Sequence, residues 1–240
     1  MSALIEDDLG NERLERLLSG AGHQLRTPLN SVLGFTEILL MGLPGPLNEE
    51  QRRQLRNVRS GARLLETTID NLLDLVRIES GTLTVRLELV DVGSVVSEVC
   101  SNIQQFADEK GLTLEVDIPA GMTWCTNRRA LGRILVNLTS NALSFTDAGG
   151  VRIDGVPGDG VGSARVDIVD TGIGLPNVER ERVFEPFERG SARGEDGRGG
   201  AGLGLHVSRR LADLLGADIA VDSVPGRGST FSIVLPRRDR

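Results

Sequence analysis

His23 and Thr27 lie four residues apart, one turn of a helix, so an imidazole and a hydroxyl share a face. An exposed imidazole on a rigid helix is available for chemistry, since a neutral ring nitrogen can act as a nucleophile. Asn137 and Asn141 repeat the spacing, and their carboxamides can offer oxygens to a metal ion or hydrogen bonds to a ligand. Asp170-Thr-Gly-Ile-Gly174 ends an apolar run with a carboxylate and two glycines. Backbone can approach a ligand closely there, and the Asp can accept from an exocyclic amine. Gly200-Ala-Gly-Leu-Gly204 opens a helical pattern, which turns free N–H groups and the positive helix end toward an anion. No strand leads into this run, so it is not a dinucleotide fingerprint. Gly226-Arg-Gly-Ser-Thr230 reads by itself as a plain turn before the last strand.

These groups need rigid elements to hold them. With Leu18 at heptad position a, the chain reads Leu18, Leu25, Val32, Leu39 at a and Leu14, Ala21, Pro28, Phe35 at d. A second seam runs through Leu55, Val58, Ala62, Leu65, Ile69, Leu72 and Val76. The Gly42-Leu-Pro-Gly-Pro-Leu-Asn48 break between them makes an antiparallel hairpin of helices, with Asn48 as N-cap and Gln51 as its capping partner. His23 falls at f, opposite the seam, and Thr27 at c beside it. Pro28 is expected to kink the helix there. One hairpin cannot bury both seams together with Leu29, Leu33, Leu40 and Leu73, so two copies are expected to pair as a four-helix bundle, the alternative being a monomeric hairpin packed on the rest of the chain.

After Gly81 the period changes. Leu83, Val85, Leu87 and Leu89 predict one face of a strand, and Asp91 caps a helix to about Glu109 that Gly111 closes. Strands follow over 112–118, 151–153, 164–169, 219–222 and 230–235, with helices over 128–145 and 203–215. The polar, glycine-rich stretch from Pro176 to Gly199, with Phe184, Pro186 and Phe187, reads as a lid with an aromatic anchor. The fold class is α+β: a helical hairpin over 1–80 that dimerises, then an α/β sandwich over 83–240.

Composition excludes several classes. The formal charge is −7, which opposes nucleic-acid binding. Apolar content of 39 % and charged content of 25 % are those of an ordinary folded protein. The longest apolar runs fall far short of the roughly 18 residues of a membrane span, and the acidic start is no signal peptide. Cys100 and Cys125 have neither metal spacing nor disulfide density and read as structural thiols in a reducing compartment. Lys110, the only lysine, and His206, just after the glycine run, carry no assigned role.

Taken together, six ordered motifs resemble the catalytic core of bacterial sensor histidine kinases over nearly the whole chain. Gly22-His-Gln-Leu-Arg-Thr-Pro-Leu-Asn30 is similar to that family's phosphoacceptor box. Asn137-Leu-Thr-Ser-Asn-Ala-Leu-Ser-Phe-Thr146 is similar to its asparagine box. Asp170 to Gly174, Phe184-Glu-Pro-Phe187, Gly200 to Leu205 and Gly226 to Phe231 resemble the remaining boxes. The resemblance implies a dimerisation and phosphotransfer hairpin followed by an ATP-binding domain of the gyrase, heat-shock chaperone, histidine kinase and mismatch-repair superfamily.

It implies that His23 takes the γ-phosphoryl of ATP and passes it to an aspartate of a response-regulator receiver domain in the cytoplasm. In the implied roles Asn141 holds Mg²⁺, Asn137 lies near the phosphates, and Asp170 accepts from the adenine amine. Gly172, Gly174 and Thr230 border adenine, Gly202 and Gly204 cradle phosphates, and Arg189 grips them. Such chemistry is mostly positioning and stabilisation of spreading negative charge.

Three residues depart from the pattern. Gln24 stands where the family has an acidic residue that orients the imidazole and takes its proton, which predicts slow autophosphorylation. Ser144 replaces a lysine near the phosphates, and Asn127 replaces an aspartate as helix cap. Thr27 lies where the family's phosphatase activity positions a water. A phosphatase-biased or non-catalytic dimeric scaffold that binds a receiver domain is therefore the alternative, and an ATPase or serine kinase of the same superfamily is more remote. No sensory, transmembrane or receiver segment is legible, which fits either a fragment of a larger kinase or a short kinase switched by partners.

Overall fold

The structure is a computed structural model that describes residues 2–157, 164–188 and 201–235, with the side chains of 2–19 and 21 outside the description. The chain divides into two compact units, Met1–Thr84 and Val85–Arg240.

The first unit is a helical hairpin of α1 (Ser2–Leu40) and α2 (Glu49–Glu79). At the start of α2 the Asn48 carboxamide oxygen accepts from the Gln51 N–H at 2.8 Å, and the Gln51 side chain accepts from the Asn48 N–H at 2.9 Å. This reciprocal cap is the one the sequence predicts. Helix α1 runs on through Pro28.

The hairpin does not pack through the whole predicted seam. Gly22, Leu29 and Thr36 are the buried positions of α1 in this span, whereas Leu25, Val32 and Phe35 are exposed. On α2, Ala62 is buried, while Val58, Leu65 and Leu72 are about half exposed. Helix α1 therefore turns a flanking row toward α2, whereas α2 turns inward the half of its seam that holds Ala62, and each leaves a second apolar row outward. The physical reason is stripe width: apolar residues at both rows make a face too broad for one partner helix.

The second unit is a five-stranded sheet with helices on one face. Its strands are β2 (Thr113–Asp117), β4 (Gly150–Pro157), β5 (Ala164–Asp170), β6 (Asp218–Val224) and β7 (Gly228–Leu235). A separate pair is formed by β1 (Glu88–Asp91) and β3 (Thr123–Thr126), and the helices are α3 (Val92–Lys110), α4 (Arg128–Ser144) and α5 (Gly204–Leu215). Sheet order is β2-β4-β5-β7-β6, with β2–β4 parallel and the other neighbours antiparallel. Val151, Ile153, Val166, Ile168, Phe231 and Ile233 line the inner sheet face. Leu131, Ile134, Leu135 and Leu138 of α4 are fully buried, each contributing about 1.5–3 kcal/mol by transfer from water.

The predicted strand near residue 83 is corrected. Only Glu88–Asp91 is strand, and its inward residue is Val90, with Leu89 76 % exposed. Val90 pairs with Trp124, itself 2 % exposed, on a strand that was not predicted. Burial of the indole sets the phase, and nothing local announces a four-residue strand.

Candidate functional site

On α1, His23, Gln24 and Thr27 are all exposed. No described residue hydrogen-bonds the His23 imidazole or the Gln24 carboxamide, and the Thr27 hydroxyl donates to the His23 carbonyl at 3.0 Å. Gly22 lies against α2: a Cβ there would come within 2.6 Å of the end of Leu73. One turn on, Arg26 donates twice to Asp70, at 2.6 and 3.0 Å, and joins α1 to α2. Half-exposed, this pair adds orientation more than stability. Neither Arg26 nor Asp70 was singled out from sequence, because their spacing becomes a contact only in the hairpin. The result is an exposed imidazole, without a hydrogen-bond partner among the described residues, on a braced helix face.

The second constellation gathers around Asp170 at the end of β5. Asp170 is 5 % exposed, and one carboxylate oxygen accepts from the Gly172 N–H at 2.8 Å and the Ser229 N–H at 3.2 Å. Burial pushes its pKa above the usual carboxylate range, opposed by these N–H donors and the Ser229 hydroxyl.

Two glycine loops meet here. The Ile173 carbonyl accepts from the Gly226 N–H at 2.7 Å, and the Leu175 N–H donates to the Ser223 hydroxyl at 2.7 Å. Gly174 has φ +66°, and a Cβ would lie 2.1 Å from the Val224 carbonyl oxygen, so only glycine fits. Arg180 donates to the Ser223 carbonyl and pairs with Asp222 at 3.2 Å, which ties residues 175–180 to the end of β6. The turn at Gly226 thus belongs to the site, contrary to its plain reading. Thr230 is paired with Val169 and Asp222, and strand alternation puts it on the face opposite Ser229 and Phe231. The residue that meets Asp170 is Ser229, which period-two counting back from the buried Phe231 could have found.

Helix α4 supplies the asparagines. Asn127 caps it, accepting from the Ala130 N–H at 2.9 Å. Asn137 is buried and donates to the Gly204 carbonyl and the Ser208 hydroxyl, both at 3.2 Å, which joins α4 to the first turn of α5. Asn141 is half-buried, and its carboxamide makes no hydrogen bond among the described residues. Ser144 donates to the Ser140 carbonyl at 2.7 Å.

Among the described residues no group of three His, Cys, Asp or Glu could hold a metal. A lone free carboxamide still fits Mg²⁺, which keeps several waters and takes one or two protein ligands together with phosphate oxygens. Helix α5 begins at Gly204 without a side-chain cap at Leu203, so among the described residues no side chain at the cap competes with an anion for its first N–H groups.

Phe184 is buried and meets Phe231 edge-on, with centroids 6.4 Å apart. His206 donates from Nδ1 to the Phe184 carbonyl at 3.0 Å, and Arg209 lies 4.8 Å over the Phe184 ring. Phe187 stays 67 % exposed and its N–H donates to the Gly202 carbonyl at 3.0 Å. Phe184 is therefore the anchor expected of this segment, and Arg189 lies outside the described residues. Asn137, Asn141, Asp170, Gly172, Gly174, Gly202 and Gly204 all fall in the second unit, and His23, Gln24 and Thr27 in the first.

Comparison with known proteins places one family match within each unit. Residues 13–81 match the His Kinase A (phospho-acceptor) domain, and residues 126–239 match the histidine kinase-, DNA gyrase B- and HSP90-like ATPase. The chain is 34 % identical to the histidine protein kinase DivJ of Caulobacter vibrioides, over 92 % of this chain and 37 % of that protein. It is 31 % identical to the autoinducer 2 sensor kinase/phosphatase LuxQ of Vibrio parahaemolyticus, over 93 % of this chain and 26 % of LuxQ. The solved structure of full-length ShkA in complex with AMPPNP aligns with a TM-score of 0.69 at 30 % identity, covering 92 % of this chain and 45 % of ShkA. The chain spans between 26 % and 37 % of the lengths of the first curated relatives it matches.

Proposed function

Because the chain belongs to the sensor histidine kinases, carrying the phosphoacceptor and ATPase domains of their catalytic core, we propose that it phosphorylates His23 from ATP and passes the group to a receiver-domain aspartate. One observation carries this reading. A single chain holds an exposed imidazole on a helical hairpin and a buried carboxylate between two glycine loops beside a carboxamide, and neither the imidazole nor the carboxamide has a hydrogen-bond partner among the described residues.

In the second unit, Asp170 accepts from the adenine amine in a pocket bordered by Gly172 and Gly174. Gly202, Gly204 and the open N–H groups of α5 receive the phosphates, and Asn137 holds α4 against that helix. Asn141 is the protein ligand for Mg²⁺, which would neutralise charge on the phosphate oxygens. Arg189 keeps its expected role toward the phosphates, whereas the expected place of Thr230 at the pocket border passes to Ser229, the residue that meets Asp170.

At His23, the unprotonated ring nitrogen attacks the γ-phosphorus, the bond to the ADP oxygen breaks, and the ring's other N–H becomes acidic. Gln24 can accept a hydrogen bond from that N–H and cannot take its proton, so water must carry it away and autophosphorylation is slow. The units so assigned are 1–80 for phosphotransfer and 83–240 for ATP, working in the cytoplasm. No described helix is long and apolar enough to cross a membrane. The outward apolar rows of both helices pack against a second copy, which makes the four-helix bundle of a homodimer.

Incubation with γ-labelled ATP and Mg²⁺, beside His23→Ala, tests the proposal. Acid-labile label that disappears in the control is expected, and absence of label despite ATP binding overturns the kinase reading. That outcome favours the second reading, a phosphatase-biased or scaffolding role toward a phosphorylated receiver. The exposed Thr27 beside Gln24 favours it, as does the likeness to a sensor kinase/phosphatase.

A further inference from the structure

We propose that Lys110 is a positioning residue for the nucleotide pocket, acting by clamping the turn that supports the loop after Asp170. This rests on the nucleotide reading above and goes beyond it, because Lys110 lies outside every motif that identifies the pocket. Lys110 is the last residue of α3, and its ammonium donates to three carbonyls at the end of α4. The distances are 2.6 Å to Leu143, 3.2 Å to Ser144 and 2.9 Å to Thr146, and the ammonium also lies 5.9 Å over the Phe106 ring.

A helix leaves its last carbonyls without partners and carries partial negative charge at that end, so a cation there satisfies both. The clamped turn is also the floor of the pocket. Its Phe145 carbonyl accepts from the Ile173 N–H at 3.2 Å, in the loop that follows Asp170. A Cβ on Gly172 would lie 2.4 Å from that same carbonyl oxygen, so the loop rests directly on it. The Phe145 N–H donates to the Asn141 carbonyl at 3.0 Å, the closing backbone bond of α4, so the turn is fixed to the helix on one side and to the loop after Asp170 on the other.

The residue type supports the role. Lys110 is the only lysine among the chain's 27 basic residues. Three carbonyls converging on one point suit a compact ammonium with three donors, whereas a guanidinium spreads its donors across a plane. An arginine would keep the charge and lose the triple contact. If the turn shifts, the carboxylate that reads the base shifts with it, so the loss must fall on adenine recognition more than on the phosphates.

The test measures AMPPNP and GMPPNP binding with Mg²⁺ by calorimetry, with melting temperatures, on the full chain and on Lys110→Met, Lys110→Arg and Ile103→Val. Ile103 is buried on the same helix and does not hydrogen-bond the turn, so its variant controls for a general loss of stability. Lys110→Met and Lys110→Arg are expected to weaken AMPPNP about tenfold, equivalent to about 1.4 kcal/mol, and GMPPNP much less. Ile103→Val should leave both affinities unchanged.

Affinity retained in Lys110→Met, full rescue by Lys110→Arg, or equal weakening of both nucleotides would each overturn the proposal. So would an equal loss in Ile103→Val. If Lys110→Met does not fold, Lys110→Arg decides the matter. A parent chain that binds no AMPPNP, or binds both nucleotides alike, overturns the nucleotide reading itself and this inference with it.

Discussion

Asp170 and His23 occupy opposite solvent environments, and each suits the chemistry proposed for it. The native Asp170 carboxyl holds its proton more tightly than in the unfolded chain because burial disfavours the charge. Ionising it therefore costs native stability as pH rises through the native pKa, and acidification returns that stability. Base recognition has the opposite sign, since an adenine amine needs the ionised acceptor. AMPPNP affinity measured from about pH 8 to about pH 5 should fall on acidification from a higher pH than an exposed aspartate would give. Asp170→Asn should bind weakly with no such step, and a step that survives in it would assign the titration elsewhere. At His23 the missing proton acceptor is the limiting feature. Gln24→Glu should raise the initial rate of autophosphorylation at least ~10²-fold, the lower end of what a general base contributes. No increase would show that water already serves as well. Residue types exposed both groups in the sequence, but Ser229 was missed in favour of Thr230, because only the strand phase decides which of two adjacent hydroxyl residues meets Asp170.

Elements were read best where their ends carry local chemistry. Asn48, Asp91 and Asn127 cap the helices that follow them, and Gly111 closes α3 in the left-handed conformation. Those signals lie within three or four residues of one another, so the sequence holds them whole. Asn48→Ala removes the carboxamide half of a reciprocal cap and should lower unfolding free energy by about 1 kcal/mol, read by urea denaturation. A loss near zero would mean that packing alone holds the start of α2. The strand β1 was placed too early and in the wrong phase, and β3 was missed. Each is four residues long, and their pairing depends on an indole whose burial is a property of the assembled unit.

For the whole molecule, the hairpin's outward apolar rows argue for a second copy. Leu65→Glu with Leu72→Glu places charges on the exposed row of α2 and should turn a dimer into a monomer by light scattering, with AMPPNP affinity unchanged. A parent chain that is already monomeric would remove the bundle from the proposal. The order of the boxes, the two-part organisation and the helix caps were all determined by sequence alone, because each depends on residue type and short spacing. Tertiary structure decided which apolar row each helix turns inward and that a turn after β6 walls the pocket. It also decided that a lysine at the end of α3 supports a loop some sixty residues away. These are contacts between distant segments, and sequence spacing carries no record of which distant segments will meet.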